Sequence, residues 1–309
     1  MMAFLTGVIV AALGGLAAYP KWREHRRLPM DAAARADAPG DFVTLRHGTV
    51  HYRFYGSENG PLAVCVHGLT TPSFVFEGIA ERLVAQGYRV LTYDHFGRGY
   101  SDRPLVPQDR RFFTQNLVEL LDALNVREPF DLVGYSMGGW VVTAFAADYP
   151  DRIKKLILLA PAGMGHELGT LAKFCVRVPV VGSWLFGLGY ARQHILGTEA
   201  ERALPSSVPH IIDRQQKELI YRGFIPSVLA SMRGALSATT ERDHNTLRDA
   251  GTDVIAIWGE CDTVIPLMCK DRLSAWNPNV THHIVAGAGH GVTYTHTDDV
   301  VAAMDLRGG

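Results

Sequence analysis

From residue 42 onward the chain alternates short apolar, β-branched runs with longer stretches of helical periodicity, the pattern of an α/β architecture with a mostly parallel sheet. The runs are "LAVCVHG" (62–68), "RVLTYD" (89–94), "FDLVGYS" (130–136), "KKLILLAP" (154–161), "DVIAIWG" (253–259) and "THHIVAG" (281–287). They are mostly apolar throughout rather than at every second position, which fits strands buried on both faces. "FVTLRHGTVHYRFYG" (42–56) alternates instead and turns at His47-Gly48, so it predicts an opening hairpin. Helices are predicted over 73–86, 110–125, 138–148, 264–275 and 297–306. One interval breaks the rhythm. Residues 162–252 separate two strands that a single crossover helix would join, so they are expected to form a subdomain over one edge of the sheet, leaving 42–161 and 253–309 as the core.

The N-terminus has a different pattern. Residues 2–19, "MAFLTGVIVAALGGLAAY", hold no charged side chain and are directly followed by "KWREHRR", with Lys21, Arg23, Arg26 and Arg27. At 1.5 Å per residue, roughly 18 residues approach the minimum for a bilayer span. Residues 1–20 are therefore expected to be a membrane anchor or signal segment and 21–41 a basic linker, its later part rich in Ala, Asp and Pro. The basic cluster after the apolar run favours an anchor with the rest of the chain facing the cytoplasm. Export after signal cleavage is the alternative, although a signal peptide carries its positive charge before the apolar segment.

Composition narrows the function classes. The 309 residues carry a net charge of -1, with 47% hydrophobic and 20% charged residues, and contain no long basic block. No electrostatic footprint for nucleic acid is present, and that class is set aside. Cys65, Cys175, Cys261 and Cys269 are scattered without CxxC or His/Cys spacing, so no zinc site, metal or cofactor is expected.

The chemistry centres on "DLVGYSMGGW" (131–140), where Ser136 stands between Gly134 and Gly138 at the end of an apolar run and the start of a helical stretch. G-x-S-x-G at a strand-turn-helix junction is the pattern of a nucleophile elbow, whose small flanking residues let the backbone bend while the hydroxyl points out. A serine hydroxyl is a weak nucleophile and needs a base, and the base needs an orienting acid. The chain order for this elbow is Ser, then Asp or Glu, then His. His290 in "GAGHG" comes after the last predicted strand on a glycine-flanked loop. His282 and His283 lie inside that strand, and His296 begins the final helix. For the acid, Asp262 in "WGECDTVIP" lies beyond a strand end; Glu260 is its nearest competitor but directly follows Gly259.

An acyl-transfer oxyanion needs two backbone N–H donors. Met137, after the nucleophile, supplies one by position; in "VHGLTTPS", Gly68 lets the chain turn inward and Leu69 supplies the other. "YDHFGRGYSDRP" (93–104) is read as an architectural loop held by Asp94, Arg98 and Ser101, with ligand binding through His95 or Phe96 as the minority reading.

With HG at 67–68, DxxGxGxS at 94–101, GYSMGG at 134–139, the acid at 262 and GAGHG at 287–291, the chain resembles the α/β-hydrolase superfamily across about residues 42–306. The resemblance implies the α/β-hydrolase fold, with a central eight-stranded, mostly parallel sheet and a helical cap or lid inserted after the sixth strand, at 162–252. Ser136 argues against the branches that place Asp at the elbow. The expected activity is that of a carboxylesterase or monoacylglycerol-lipase-like serine hydrolase acting on a small-molecule ester or lipid. Alternatives are carbon–carbon hydrolysis of ring-cleavage products and a ligand-binding member without turnover.

In the cap, "VRVPVVGSWLFGLGY" (176–190) is apolar and either lines an acyl pocket, touches the membrane surface or packs on the core. Residues 225–236 predict a helix whose Arg233 meets a substrate carboxylate or a neighbouring acid, the acid being favoured.

Overall fold

The computed structural model describes residues 2–165 and 169–306, apart from the side chains of residues 2, 3 and 7–12. Met1, three residues of the 162–252 interval (166–168) and the last three of the core range (307–309) therefore lie outside the described residues.

Strands β1 (Asp41–Leu45), β2 (Gly48–Tyr55), β3 (Leu62–Val66), β4 (Arg89–Tyr93), β5 (Phe130–Tyr135), β6 (Ile153–Leu159), β7 (Val254–Gly259) and β8 (Thr281–Val285) form one sheet in the order β1-β2-β4-β3-β5-β6-β7-β8. The hairpin β1–β2 joins β4 antiparallel, and every other neighbouring pair is parallel. The expected sheet is thus present, with strand bounds close to those read from the apolar runs.

Those runs are explained by two separate cores. Along the central strands Val64, Val66, Leu132, Leu156, Leu158, Ala256 and Trp258 belong to one apolar cluster, while Ala63, Cys65, Val133, Tyr135, Ile157, Leu159, Ile255 and Ile257 belong to the other. Side chains alternate between faces with period two, so a strand covered on both sides is apolar at every position.

The helices preceding the core layers are α1 (Met2–His25) and α2 (Ala32–Arg35). α3 (Glu77–Ala85), after a 3-10 turn at Ser73–Phe76, contributes to the second cluster, and α4 (Arg110–Ala123) and α5 (Met137–Asp148) contribute to the first. Asp109 starts α4 by accepting from the Phe112 N–H, satisfying one of the orphan donors of its first turn.

Between β6 and β7 come α6 (Thr170–Arg177), α7 (Pro179–Glu199), α8 (Ile211–Lys217), α9 (Phe224–Arg233) and α10 (Glu241–Asp249). After β7 come α11 (Met268–Trp276), α12 (Val292–Thr295) and α13 (Thr297–Ala303). Cys175, Phe186, Leu219, Phe224, Val228 and Met232 form a third apolar cluster within the inserted helices. α10 differs, packing against α5 and α11 in the core layers.

Among the described residues Arg233 pairs with no acid. Its guanidinium donates to the carbonyls of Cys175, Val176, Val178 and Pro179 and to Ser183 Oγ, closing the carbonyl end of α6 and joining it to α7.

The membrane-anchored placement through residues 2–19, with a cytoplasm-facing catalytic domain, is corrected: among the described residues no helix is long and apolar enough to cross a membrane. The physical reason lies in where the apolar run leads. α1 does not stop at Tyr19 but continues through Lys21, Arg23 and Glu24, and its second half is docked on the inserted helices. Trp184 Nε1 donates to Leu16 O at 3.0 Å, and the Gly223 N–H donates to Glu24 Oε1 at 2.6 Å. Residues 21–41, expected to be a linker, are held closely: Leu28 bridges to Tyr221, Arg35 Nε donates to Tyr100 O, and Pro39 O meets the His51 ring.

Burial predicts a response to acid. Desolvation holds the His67 imidazole down to about 4 and that of His244 down to about 3, from an ordinary 6.5. A folded-state value below the unfolded one means stability is present above pH 6.5 and is lost as pH falls toward these values, because only the unfolded chain takes up the protons. His244 stacks on Trp276, and among the described residues its Nδ1 has no partner. His244→Phe is expected to remove about one proton's uptake, flattening the acid limb by up to about 1.4 kcal/mol per pH unit. Urea midpoints at pH 7.5 and 5 check this, and an unchanged difference between the two would count against it.

Candidate active site

β5 ends at Tyr135 and α5 begins at Met137, so Ser136 must reverse the chain alone, and it does so at φ 54 and ψ -118. That is a strained backbone for a residue with a side chain, and it persists because its surroundings hold it. The Ser136 N–H donates to Leu159 O at 2.9 Å, and its carbonyl accepts from the Gly139 and Ala162 N–H groups, also at 2.9 Å. The turn brings Gly138 against the end of β3 and Gly134 against Val142, places where a Cβ does not fit.

The loop after β8 carries His290 to this turn. His290 Nε2 lies 3.0 Å from Ser136 Oγ, and Nδ1 lies 2.8 Å from Asp262 Oδ2. Asp262 sits in the turn after β7, where its other oxygen, Oδ1, accepts from the Val264 and Ile265 N–H groups at 2.8 Å each. These bonds fix the carboxylate so that Oδ2 faces the imidazole. Asp262 is buried while Ser136 and His290 are half-buried, so the line of three side chains runs from the interior outward. With Nδ1–H donating to the carboxylate, Nε2 is left as the acceptor for the serine proton.

The rival residues are engaged elsewhere. Glu260 Oε2 accepts from the Gly287 N–H and closes a turn. His282 lies between Trp258 and Ser274, His283 pairs within β8 opposite Ile257, and His296 bonds Thr295.

Gly68 brings the loop after β3 onto Ser136: a Cβ there would stand 3.1 Å from Ser136 Cβ. Among the described residues the N–H groups of Leu69 and Met137 donate to no protein acceptor, and Met137 opens α5, at the positive end of its dipole. Both are available to an anion formed beside Ser136.

The 93–104 loop is built inward. Asp94 accepts from the His51 ring and from the Ser73 and Tyr100 N–H groups, and Ser101 Oγ donates to Asp94 O. Its carboxyl is held well below the usual range: burial alone would raise it, and the His51 contact outweighs that. His95 and Phe96 are buried at 3% and 2% exposure, against the minority reading of a binding role.

One residue beside His290 was missed from the sequence. Tyr135 lays its ring against His290, with centroids 5.3 Å apart at 33°, and its hydroxyl donates to His290 O at 3.0 Å. Its position next to Ser136 was the available signal, but a strand residue's direction is set only once the sheet forms. Among the described residues no group of three or more His, Cys, Asp and Glu side chains is placed to hold a metal ion.

Comparison with known proteins agrees with this architecture. The family described as alpha/beta hydrolase fold matches residues 61–179. The chain is 26% identical over 279 residues to an uncharacterized protein of Mycobacterium tuberculosis, covering 85% of this chain and 80% of that one. It is 27% identical over 224 residues to a 2-hydroxymuconate semialdehyde hydrolase of Pseudomonas sp., covering 69% of this chain and 74% of the relative. In three dimensions it is similar to an esterase from Exiguobacterium antarcticum, with a TM-score of 0.71, 18% identity, and coverage of 85% of this chain and 97% of the esterase. Sheet order, elbow, spaced motifs and matched family lead to one conclusion: the chain has the α/β-hydrolase fold, and its residues 61–179 match the family of that name.

Proposed function

We propose that the protein is a serine hydrolase that cleaves carboxylic esters with an apolar acyl part through an acyl-enzyme. The observation that carries this reading is the continuous hydrogen-bonded line from Ser136 Oγ through His290 to Asp262. His290 Nε2 takes the Ser136 proton as Oγ attacks the ester carbonyl, and Asp262 holds the ring in the required tautomer and supports the imidazolium. The oxyanion accepts from the Leu69 and Met137 N–H groups. His290 then returns the proton to the leaving alcohol, and the same base activates the water that releases the acid.

The apolar acyl preference is supported by the third cluster, whose Phe224, Val228 and Met232 belong to the inserted helices and against which Leu69 packs. These helices, together with the rest of 162–252, are assigned the role of a cap over the site, with 42–161 and 253–309 as the core. A buried methylene contributes about 0.8 kcal/mol, so kcat/KM on p-nitrophenyl esters is expected to rise roughly fourfold per added CH₂ from acetyl until the pocket is filled. A flat or falling series would remove the apolar acyl pocket.

The second reading, carbon–carbon hydrolysis on the same three residues, is favoured by the relative named 2-hydroxymuconate semialdehyde hydrolase. The two separate in one experiment, which combines fluorophosphonate labelling with parallel assays on the ester series and on a vinylogous diketone. Labelling with ester turnover supports the ester reading, and labelling with diketone turnover alone moves the assignment to carbon–carbon hydrolysis. A wild type that takes no label overturns both.

A further inference from the structure

Arg98 lies at the seam where three parts of the chain meet: the loop carrying Leu69, the segment between β4 and α4, and helix α9. It is fully buried, and its guanidinium makes five hydrogen bonds. Nε donates to Leu69 O at 3.0 Å, Nη1 to Phe96 O at 3.1 Å and Gln108 Oε1 at 2.7 Å, and Nη2 to Ser227 O at 3.3 Å and Ser231 Oγ at 2.8 Å. Ser231 Oγ donates in turn to Gln108 Oε1, closing a small ring of bonds between α9 and the start of α4. The seam is tight: Gly97, at φ +88, stands where a Cβ would lie 2.3 Å from Ser227 Cβ.

Every acceptor is neutral, and among the described residues Arg98 makes no ion pair. Glu218, whose charge reaches it, is paired with Arg103 at 3.2 Å. Burial lowers the guanidinium only to about 9, so it carries its charge at neutral pH. A buried charge without a counter-ion is unfavourable compared with a packed apolar side chain, so holding the loop shut gives no reason for a cation here. Its five fixed donors, however, are suited to fixing several carbonyls at once.

We propose that Arg98 is a positioning residue for the oxyanion donor: it fixes the Leu69 backbone and couples it to α9, so that the donor is placed when the inserted helices are seated on the core. This rests on the reading of Ser136 as nucleophile and the Leu69 N–H as oxyanion donor. The chain of contacts is short, since the carbonyl held by Arg98 belongs to the same residue whose N–H is free beside Ser136.

The test compares wild type with Arg98→Met, Arg98→Lys and Ser231→Ala, measuring kcat and KM on p-nitrophenyl butyrate per active site titrated with fluorophosphonate. Titration removes any fraction that fails to fold. A misplaced oxyanion donor lowers kcat by about 10²-fold, so Arg98→Met is expected to approach that loss with KM within about threefold. Arg98→Lys recovers part of it, because one ammonium reaches only some of the acceptors. Ser231→Ala, which leaves the Leu69 bond intact but removes two buried hydrogen bonds of α9, is expected to lose severalfold in kcat with a thermal midpoint lowered by a few degrees. If Arg98→Met does not fold, Arg98→Lys and Ser231→Ala decide. Unchanged kcat per titrated site in the folded Arg98 variants and in Ser231→Ala overturns the proposal. Failure of the underlying reading looks different: wild type takes no label, or Ser136→Ala still does.

Discussion

Ser136→Ala is expected to lower kcat on p-nitrophenyl butyrate by about 10⁴- to 10⁶-fold and to abolish fluorophosphonate labelling, while leaving the thermal midpoint nearly unchanged. The kinetic effect comes from geometry, because the Ser136 hydroxyl lies 3.0 Å from His290 Nε2, and alanine offers nothing there to activate. The stability effect comes from the backbone, since alanine inherits the strained φ of 54. Ser136→Gly is expected to be equally inactive and more stable by about 1 kcal/mol, because glycine adopts that conformation without penalty. The three side chains act as a unit, so Ser136→Ala with His290→Ala should be little worse than Ser136→Ala alone. A single variant that retained a tenth of the activity would remove Ser136 from the role of nucleophile.

The largest structural effect is expected at Gly138. A Cβ there would lie 1.9 Å from Val66 O and 2.7 Å from His67 O. Both are backbone atoms at the end of β3, so no rotamer change relieves the clash. Either α5 moves away from the sheet or the loop carrying Gly68 and Leu69 is displaced. Overpacking against backbone is expected to destabilise by about 3 kcal/mol or more, which for a chain of this size lowers the thermal midpoint by roughly 5 °C or more. Whatever folds should be inactive, because the displaced loop bears the Leu69 donor. Gly189 on α7 is the control: among the described residues nothing lies within 4 Å of its Cβ direction, and Ala there should stabilise by about 0.5–1 kcal/mol. A Gly138→Ala protein with wild-type midpoint and kcat would show that the elbow tolerates a side chain where the backbones meet.

The core was legible because its signals are local. "LAVCV" and "FDLVGY" are apolar at nearly every position and have glycine- or turn-rich ends, so the strands could be delimited without a partner. The inserted helices were less so. Arg233 was expected to face a carboxylate, yet it caps α6 through carbonyls contributed by residues far away in sequence, and a carbonyl leaves no mark on side-chain patterning. The apolar N-terminal run read as a span because hydropathy is blind to the elements that pack on a helix. The structure carries the same helix on to His25 and docks its second half on α7.

The sequence by itself determined the alternation of strands and helices, the sharp turn at Ser136 and the order in which serine, acid and histidine occur, since each depends on residues within one element or one turn. Tertiary structure alone decided that Tyr135 holds the loop of His290, and that a buried cation at Arg98 joins α9 to Leu69. These are contacts between segments as many as 155 residues apart, where side-chain direction depends on how the sheet twists and the layers pack.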